Sequence, residues 1–135
     1  MSLPDAVRTL LAGRAFAHLA TVLPDGSPHS VPVWIDVDDD DRLLMFTQTG
    51  SRKARNIERD GRVAISVVDI ANPYNQCDLR GRVVSRIDGE RALAIADALS
   101  VKYTGAAFPW RSPNTVVYAI EPGVSHHAEL PFIHA

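Results

Sequence analysis

Cysteine occurs once in the 135 residues, as Cys77. One thiol builds no intrachain disulfide framework and leaves a cysteine-based metal site without its ligands, so a reducing compartment and a cytoplasmic location are expected. Long apolar runs are missing as well. No stretch approaches the roughly 18 residues that cross a bilayer, and Asp5 and Arg8 interrupt the apolar start of the chain, so no membrane partner is expected. Nor does one sign of charge prevail. Fourteen Lys and Arg against sixteen Asp and Glu give a formal net charge of −2, and such totals supply no broad basic face for nucleic acid. The Walker phosphate loop, the Gly-x-Gly-x-x-Gly fingerprint and the Gly-x-Ser-x-Gly elbow are all absent. Nucleoside triphosphate binding, Rossmann-type cofactors and serine hydrolysis therefore lack sequence support, and Cys77 stands in no recognisable nucleophile context.

What is present reads as one domain over residues 1–135, long enough to bury roughly two-thirds of its unfolded surface. Ser2-Leu3-Pro4-Asp5 opens a short helix with Val7, Leu10 and Leu11 on one face, ending at Gly13. Strands 16–22 and 30–37 flank Pro24-Asp25-Gly26 and form a hairpin. Pro32 lies inside the second strand and has no N–H for a ladder, so it marks an edge, a bulge or a non-strand neighbour. Asp38 to Asp41 are read as a solvated turn before strand 43–47. A basic helix runs to about residue 59, and strands 62–68 and 77–87 follow, the latter with a bulge or bend at Gly81. Asp88 caps a helix to about residue 102, residues 103–113 form a loop, and strand 114–121 precedes an irregular tail after Pro122-Gly123. Six strands separated mostly by turns predict a mainly β, antiparallel barrel with few helices rather than a βαβ sheet.

The segment with most chemistry is 47–62, where an apolar run stops at Thr47, Thr49, Gly50 and Ser51 and turns into a helix carrying Arg52, Lys53 and Arg55. A capping serine, unpaired first-turn N–H groups and a helix dipole beside clustered cations make an anion cradle that fits a phosphate. The plainer reading is an exposed basic helix face. His126, His127, Glu129 and His134 offer metal ligands on a loose tail, and no metal is expected there. His18 and His29 read as ordinary strand histidines. Tyr74, Phe108 and Trp110 sit among turn residues and are candidate ligand-facing rings, whereas Trp34 reads as core.

Several ordered motifs resemble a known family. They are His18-Leu19-Ala20-Thr21-Val22, Asp25-Gly26-x-Pro28, Val31-Pro32-Val33-Trp34, Lys53-Ala54-Arg55-Asn56-Ile57 and Asp60-Gly61-Arg62-Val63-Ala64. Together they resemble the split β-barrel flavin and deazaflavin binders related to pyridoxamine 5′-phosphate oxidase, over residues 15–84 and more weakly to 120. The resemblance implies a homodimer of six-stranded antiparallel Greek-key split barrels with cofactor clefts at the subunit interface. It also implies site residues. Ser30, Val31, Pro32 and Val33 would run along the isoalloxazine-type ring and offer it backbone N–H groups. The segment matching 47–56 would hold the cofactor phosphate, with Thr47, Gln48, Thr49, Ser51, Arg52, Lys53 and Asn56 as its candidates. Tyr74 and Gln76 would reach the cofactor across the dimer.

Compact length and the Lys-Ala-Arg-Asn pattern place the chain nearest the short enzymes that use the deazaflavin coenzyme F420, with FMN as the alternative cofactor. The chain lacks the C-terminal substrate segment of pyridoxamine 5′-phosphate oxidase itself, so vitamin B6 oxidation is not expected. The expectation is an oxidoreductase passing a hydride between F420 and a small organic substrate; the rival is an FMN-binding protein or carrier without turnover. No catalytic side chain is assigned. Tyr74, Tyr103 and solvent all remain open as proton sources, and Arg55, Arg59 and Lys102 are open as partners for the F420 tail.

Overall fold

The structure is a computed structural model that describes residues 3–135, so Ser2 of the expected first cap lies outside the described residues. In chain order the elements are α1 (Asp5–Ala12), β1 (Ala15–Val22), β2 (Pro28–Val33), β3 (Asp36–Val37), β4 (Leu43–Gln48), α2 (Arg52–Arg59), β5 (Arg62–Asp69), β6 (Asn75–Ile87), α3 (Gly89–Thr104) and β7 (Thr115–Glu129). Among the described residues no helix is long and apolar enough to cross a membrane.

Alternation decides the inner face. On β1 Ala15, Ala17, Leu19 and Thr21 are buried while Phe16 and His18 point outward, as the two-residue period of a strand requires. The hairpin to β2 turns where expected: the Asp25 carboxylate accepts the Ser27 N–H at 2.9 Å, and Gly26 takes φ +87°. All ladders are antiparallel, in the order β2-β1-β5-β6-β7-β4-β3. Pro32 therefore sits on an edge strand, one of the three places its missing N–H allowed.

The two edges of this sheet, β2 and β3, are consecutive in the chain. Only Trp34 and Ile35 join them. Three Cα steps reach at most about 11 Å, so the sheet must curl until its edges nearly meet, which makes it a split barrel. Inside lie Leu11, Leu19, Ile35, Leu43, Met45, Val67, Val116 and Ile120, each under 2% exposed. Burying each such side chain stabilises the fold by about 1.5–3 kcal/mol. At Gly81 a Cβ would meet the Glu121 carbonyl oxygen at 2.5 Å, and the register shifts there. The bend expected at Gly81 is thus a close crossing of β6 and β7.

Four details depart from the sequence reading. Among the described residues the strands number seven rather than six, because the run 30–37 breaks at Trp34-Ile35 where the chain crosses between edges. β7 does not stop at Pro122-Gly123; Pro122 pairs with Gly81 through the bulge and the strand continues to Glu129. Asp41 is not part of a solvated turn. It is 4% exposed at φ +62°, accepts the Leu3 N–H at 2.7 Å and pairs with Arg8, and these partners hold its pKa below the usual carboxylate range. Asp88 occupies the cap position of α3, but its carboxylate binds Arg86 instead of the helix N–H groups.

Candidate functional site

Where the curled edges meet, an open cleft of about 650 Å³ forms. β1 supplies Phe16 and His18, β2 supplies Pro32 and Val33, and β4 supplies Phe46. Trp34 from the seam, Tyr103 from α3, and Phe108 and Trp110 from the loop complete an aromatic wall. Trp34 stacks on Tyr103 at 5.5 Å and 8°, Phe46 meets Phe108 edge-on at 4.9 Å, and Phe108 meets Trp110 at 5.3 Å. Such offset and edge contacts are the geometry aromatic quadrupoles favour. Trp110 remains 69% exposed, so it is a rim of the cleft, not core. Trp34, read as core, is a wall of this cleft.

The start of α2 reaches the same cleft through Lys53. Ser51 caps the helix as expected, its Oγ accepting the Ala54 N–H at 3.2 Å and lying 3.0 Å from Thr47 Oγ1. First-turn N–H groups of Arg52 and Lys53 remain without intrahelical partners. Lys53 is partly buried, among the described residues no carboxylate pairs with it, and desolvation lowers its pKa from 10.5. An unpaired ammonium in an apolar wall is a strong recruiter of an anion, because the anion would restore the charge balance that burial removed.

The candidates fall into groups. Pro32, Val33 and Lys53 share the aromatic cleft; Ser30 is on the same outward side of β2 as Pro32, and Val31 alternates to the other. Thr47, Ser51 and Lys53 gather at the α2 start, with Arg52 exposed beside them. Gln48 Nε2 donates to Thr115 Oγ1 at 3.1 Å. Asn56 is fully buried: its Nδ2 donates to Thr21 Oγ1 at 3.0 Å and its Oδ1 accepts from Arg59, so it ties α2 to β1. Tyr74 in the turn before β6 and Gln76 at the start of β6 are not among the residues lining the cleft of their own chain, and the Tyr74 ring lies 5.3 Å from Phe132. His127 Nε2 contacts Asn75 Oδ1 at 2.8 Å, and among the described residues no three His, Cys, Asp or Glu side chains converge.

Two open possibilities from the sequence close here. The Tyr103 hydroxyl donates to the Ala15 carbonyl at 2.9 Å, and burial raises its pKa, so its proton is engaged by the backbone. Lys102 donates to the carbonyls of Leu11 and Ile35 at 2.8 and 2.6 Å and is not available to a cofactor tail. Cys77 is buried, and desolvation with Asp78 nearby pushes its thiol up to about 11, which leaves it inert. Phe16, His18 and Phe46 were missed as site residues. The signal for Phe16 and His18 was legible, since they alternate with the buried Ala15, Ala17 and Leu19 and so fall on the outward face of β1; Phe46 on β4 carried no such local signal.

A second cleft, about 380 Å³, opens on the other flank of α2 between Thr49-Gly50, Arg55, Glu58, Arg59 and Tyr118. Tyr118 donates to Glu58 Oε2 at 2.6 Å, and Arg86 donates to the same oxygen at 3.0 Å.

Residues 3–126 match the model of the family described as pyridoxamine 5′-phosphate oxidase. Over 90 residues, 66% of this chain and 65% of the relative, the chain is 36% identical to the F420H(2)-dependent biliverdin reductase of Mycobacterium tuberculosis. Over 65 residues it is 37% identical to the 5a,11a-dehydrotetracycline/5a,11a-dehydrooxytetracycline reductase of Streptomyces rimosus, covering 46% of each chain. The matches thus span about half and just under two-thirds of these curated relatives. A solved structure of an F420 reductase superposes with a TM-score of 0.81 at 30% identity, covering 92% of this chain and 98% of that one. The matched motifs, the split barrel and the cleft at its seam together assign this chain to the pyridoxamine 5′-phosphate oxidase family.

Proposed function

We propose that the protein is an oxidoreductase that binds coenzyme F420 in the aromatic cleft and passes a hydride between its deazaflavin ring and a small organic substrate. The carrying observation is Lys53, a partly buried cation without a carboxylate partner, placed where an aromatic cleft meets a capped helix start. The relatives named above, two of them F420 reductases by name, favour this cofactor. When bound, the deazaflavin supplies the hydride chemistry. Lys53, Ser51, Thr49 and the N–H groups of the first α2 turn hold the phosphate, with Arg52 adding charge from outside. Pro32 and Val33 set one face of the ring site, while Trp34, Phe46 and Phe108 exclude water from it. Asn56 positions α2 against β1 instead of meeting the ligand.

The working unit of this reading is a cytoplasmic homodimer. The outward face of β1 and β5 carries Phe16, His18, Ala20, Ala64, Ser66 and Val68, a strip without Asp, Glu, Lys or Arg and with Phe16 57% exposed, which suits burial against a second copy. Tyr74 and Gln76 would then reach the partner's cleft.

The test is a paired fluorescence titration of the purified protein with F420 and with FMN, repeated on Lys53→Ala. Tight F420 binding, weakened about tenfold or more by the substitution, is expected from loss of one charge-assisted contact. Preference for FMN would replace the cofactor. Binding of neither would return α2 to an exposed basic face.

A further inference from the structure

The loop between α3 and β7, residues 105–113, carries two rings of the cleft wall, Phe108 and Trp110. Gly105 ends α3 at φ +83°, and its N–H closes the helix on the Val101 carbonyl at 2.9 Å. At the far end the Ser112 carbonyl accepts the Thr115 N–H at 3.2 Å and the Thr115 hydroxyl at 2.9 Å. Both ends are therefore fixed by short local turns.

The middle is held differently. Among the described residues, the polar contacts from 107–111 to the rest of the fold all go to one side chain, Asp97 on α3. Its Oδ1 accepts the Phe108 N–H at 3.1 Å and the Arg111 guanidinium at 2.5 Å, and the same guanidinium donates to the Phe108 carbonyl at 3.1 Å. An aspartate inside a helix is a weak helix former, so the use of Asp97 lies in the loop it holds rather than in α3.

That clasp sets the place of Phe108. Its ring meets Phe46 of β4 at 4.9 Å and Trp34 of the seam at 6.4 Å, edge-on in both cases, while Trp110 meets Phe108 at 5.3 Å and stays 69% exposed. Apolar contact covers the cleft but is non-directional; the hydrogen bonds to Asp97 supply the direction. We propose that residues 105–113 form a flap over the aromatic cleft and that Asp97 is the positioning residue that holds it closed, so that a planar ligand enters and leaves by release of this one clasp. The clasp is read from the fold alone; that the ligand it retains is the deazaflavin rests on the reading of the cleft given above.

The chain has two tryptophans, so Trp110→Phe leaves Trp34, against Phe108, as the single reporter of the closed wall. Acrylamide quenching of Trp34 fluorescence is measured in that background with Asp97 intact, with Asp97→Asn and with Asp97→Ala, the fold being checked by circular dichroism and the urea midpoint. Stopped-flow rates of F420 binding and release are measured with both tryptophans present, with and without Asp97→Ala. Quenching should rise from the intact clasp through Asn to Ala. Loss of hydrogen bonds to a charged but partly exposed group should speed both F420 binding and release by about three- to tenfold, with the dissociation constant changed much less than either rate. A role in stability alone would instead lower the urea midpoint and speed release without speeding binding, and that pattern overturns the flap. Unchanged Trp34 quenching in Asp97→Ala overturns it too, and raised quenching with unchanged F420 rates overturns its role as a gate. If the wild type binds no F420, the cofactor reading falls and the quenching result alone decides the clasp.

Discussion

Lys53 and Lys102 are both partly buried lysines whose pKa is pushed down by desolvation, yet the fold treats them in opposite ways. Lys102 sits at the seam, donates to the carbonyls of Leu11 and Ile35, and has Asp36 at 3.5 Å. It pins the crossing from β2 to β3 to the end of α1. Lys53 lines the neighbouring cleft and has no such partner. A buried cation surrounded by oxygens closes a structure; a buried cation left without them waits for a ligand.

The sharpest way to test this contrast is Lys102→Met. Two buried carbonyls then lose their donor, and the stability measured by urea unfolding should fall by about 2–4 kcal/mol. No loss would mean that water replaces the ammonium, and that Lys102 is no more structural than Lys53. Tyr103→Phe probes the same seam more gently: it keeps the stack on Trp34 but removes the hydroxyl from Ala15, with an expected cost of about 1 kcal/mol. Cofactor affinity should be unchanged, and a loss there would restore Tyr103 as a group that meets the ligand.

The smallest stability effect belongs to Lys53→Met. A lysine whose folded pKa lies below the unfolded 10.5 makes folding less favourable while it is charged, and that penalty is relieved as pH rises from the lowered value towards 10.5. Removing the charge at pH 7 should therefore leave stability unchanged or raise it by less than about 1 kcal/mol, solvent screening limiting the gain. Cofactor affinity in the wild type should fall as pH climbs through that lowered value, earlier than an ordinary lysine would allow. Destabilisation by Lys53→Met would show hidden structural contacts and dissolve the contrast.

Much of the barrel was legible because single residues carry unambiguous geometry. Pro32 has no N–H and sits on an edge; Gly81 marks the bulge because β7 crosses too close for a Cβ; Ser51 caps α2 because its hydroxyl is the acceptor a helix start needs. The misreadings share one cause, since each concerns a residue whose role depends on something far along the chain. Asp41 reads as surface until Arg8 and Leu3 come to it across more than thirty residues. Pro122-Gly123 reads as a terminator until Gly81 makes room for it. At the site, the local half was visible as the basic helix start, but the aromatic wall draws on β1, β4, α3 and the seam, and no local spacing announces that assembly.

The order of the staves has a consequence for how the protein is made. β7 lies between β6 and β4, and among the described strands its ladders are what join β4 and β3 to the other staves. The β1–β2 and β3–β4 pairings are local, whereas the β4–β7 ladder joins Gln48 to Thr115 and Leu43 to Ile120, a long-range closure expected to form later. Because Phe16 on β1 and Phe46 on β4 line the same cleft, the cleft is expected to be completed only with that long-range closure.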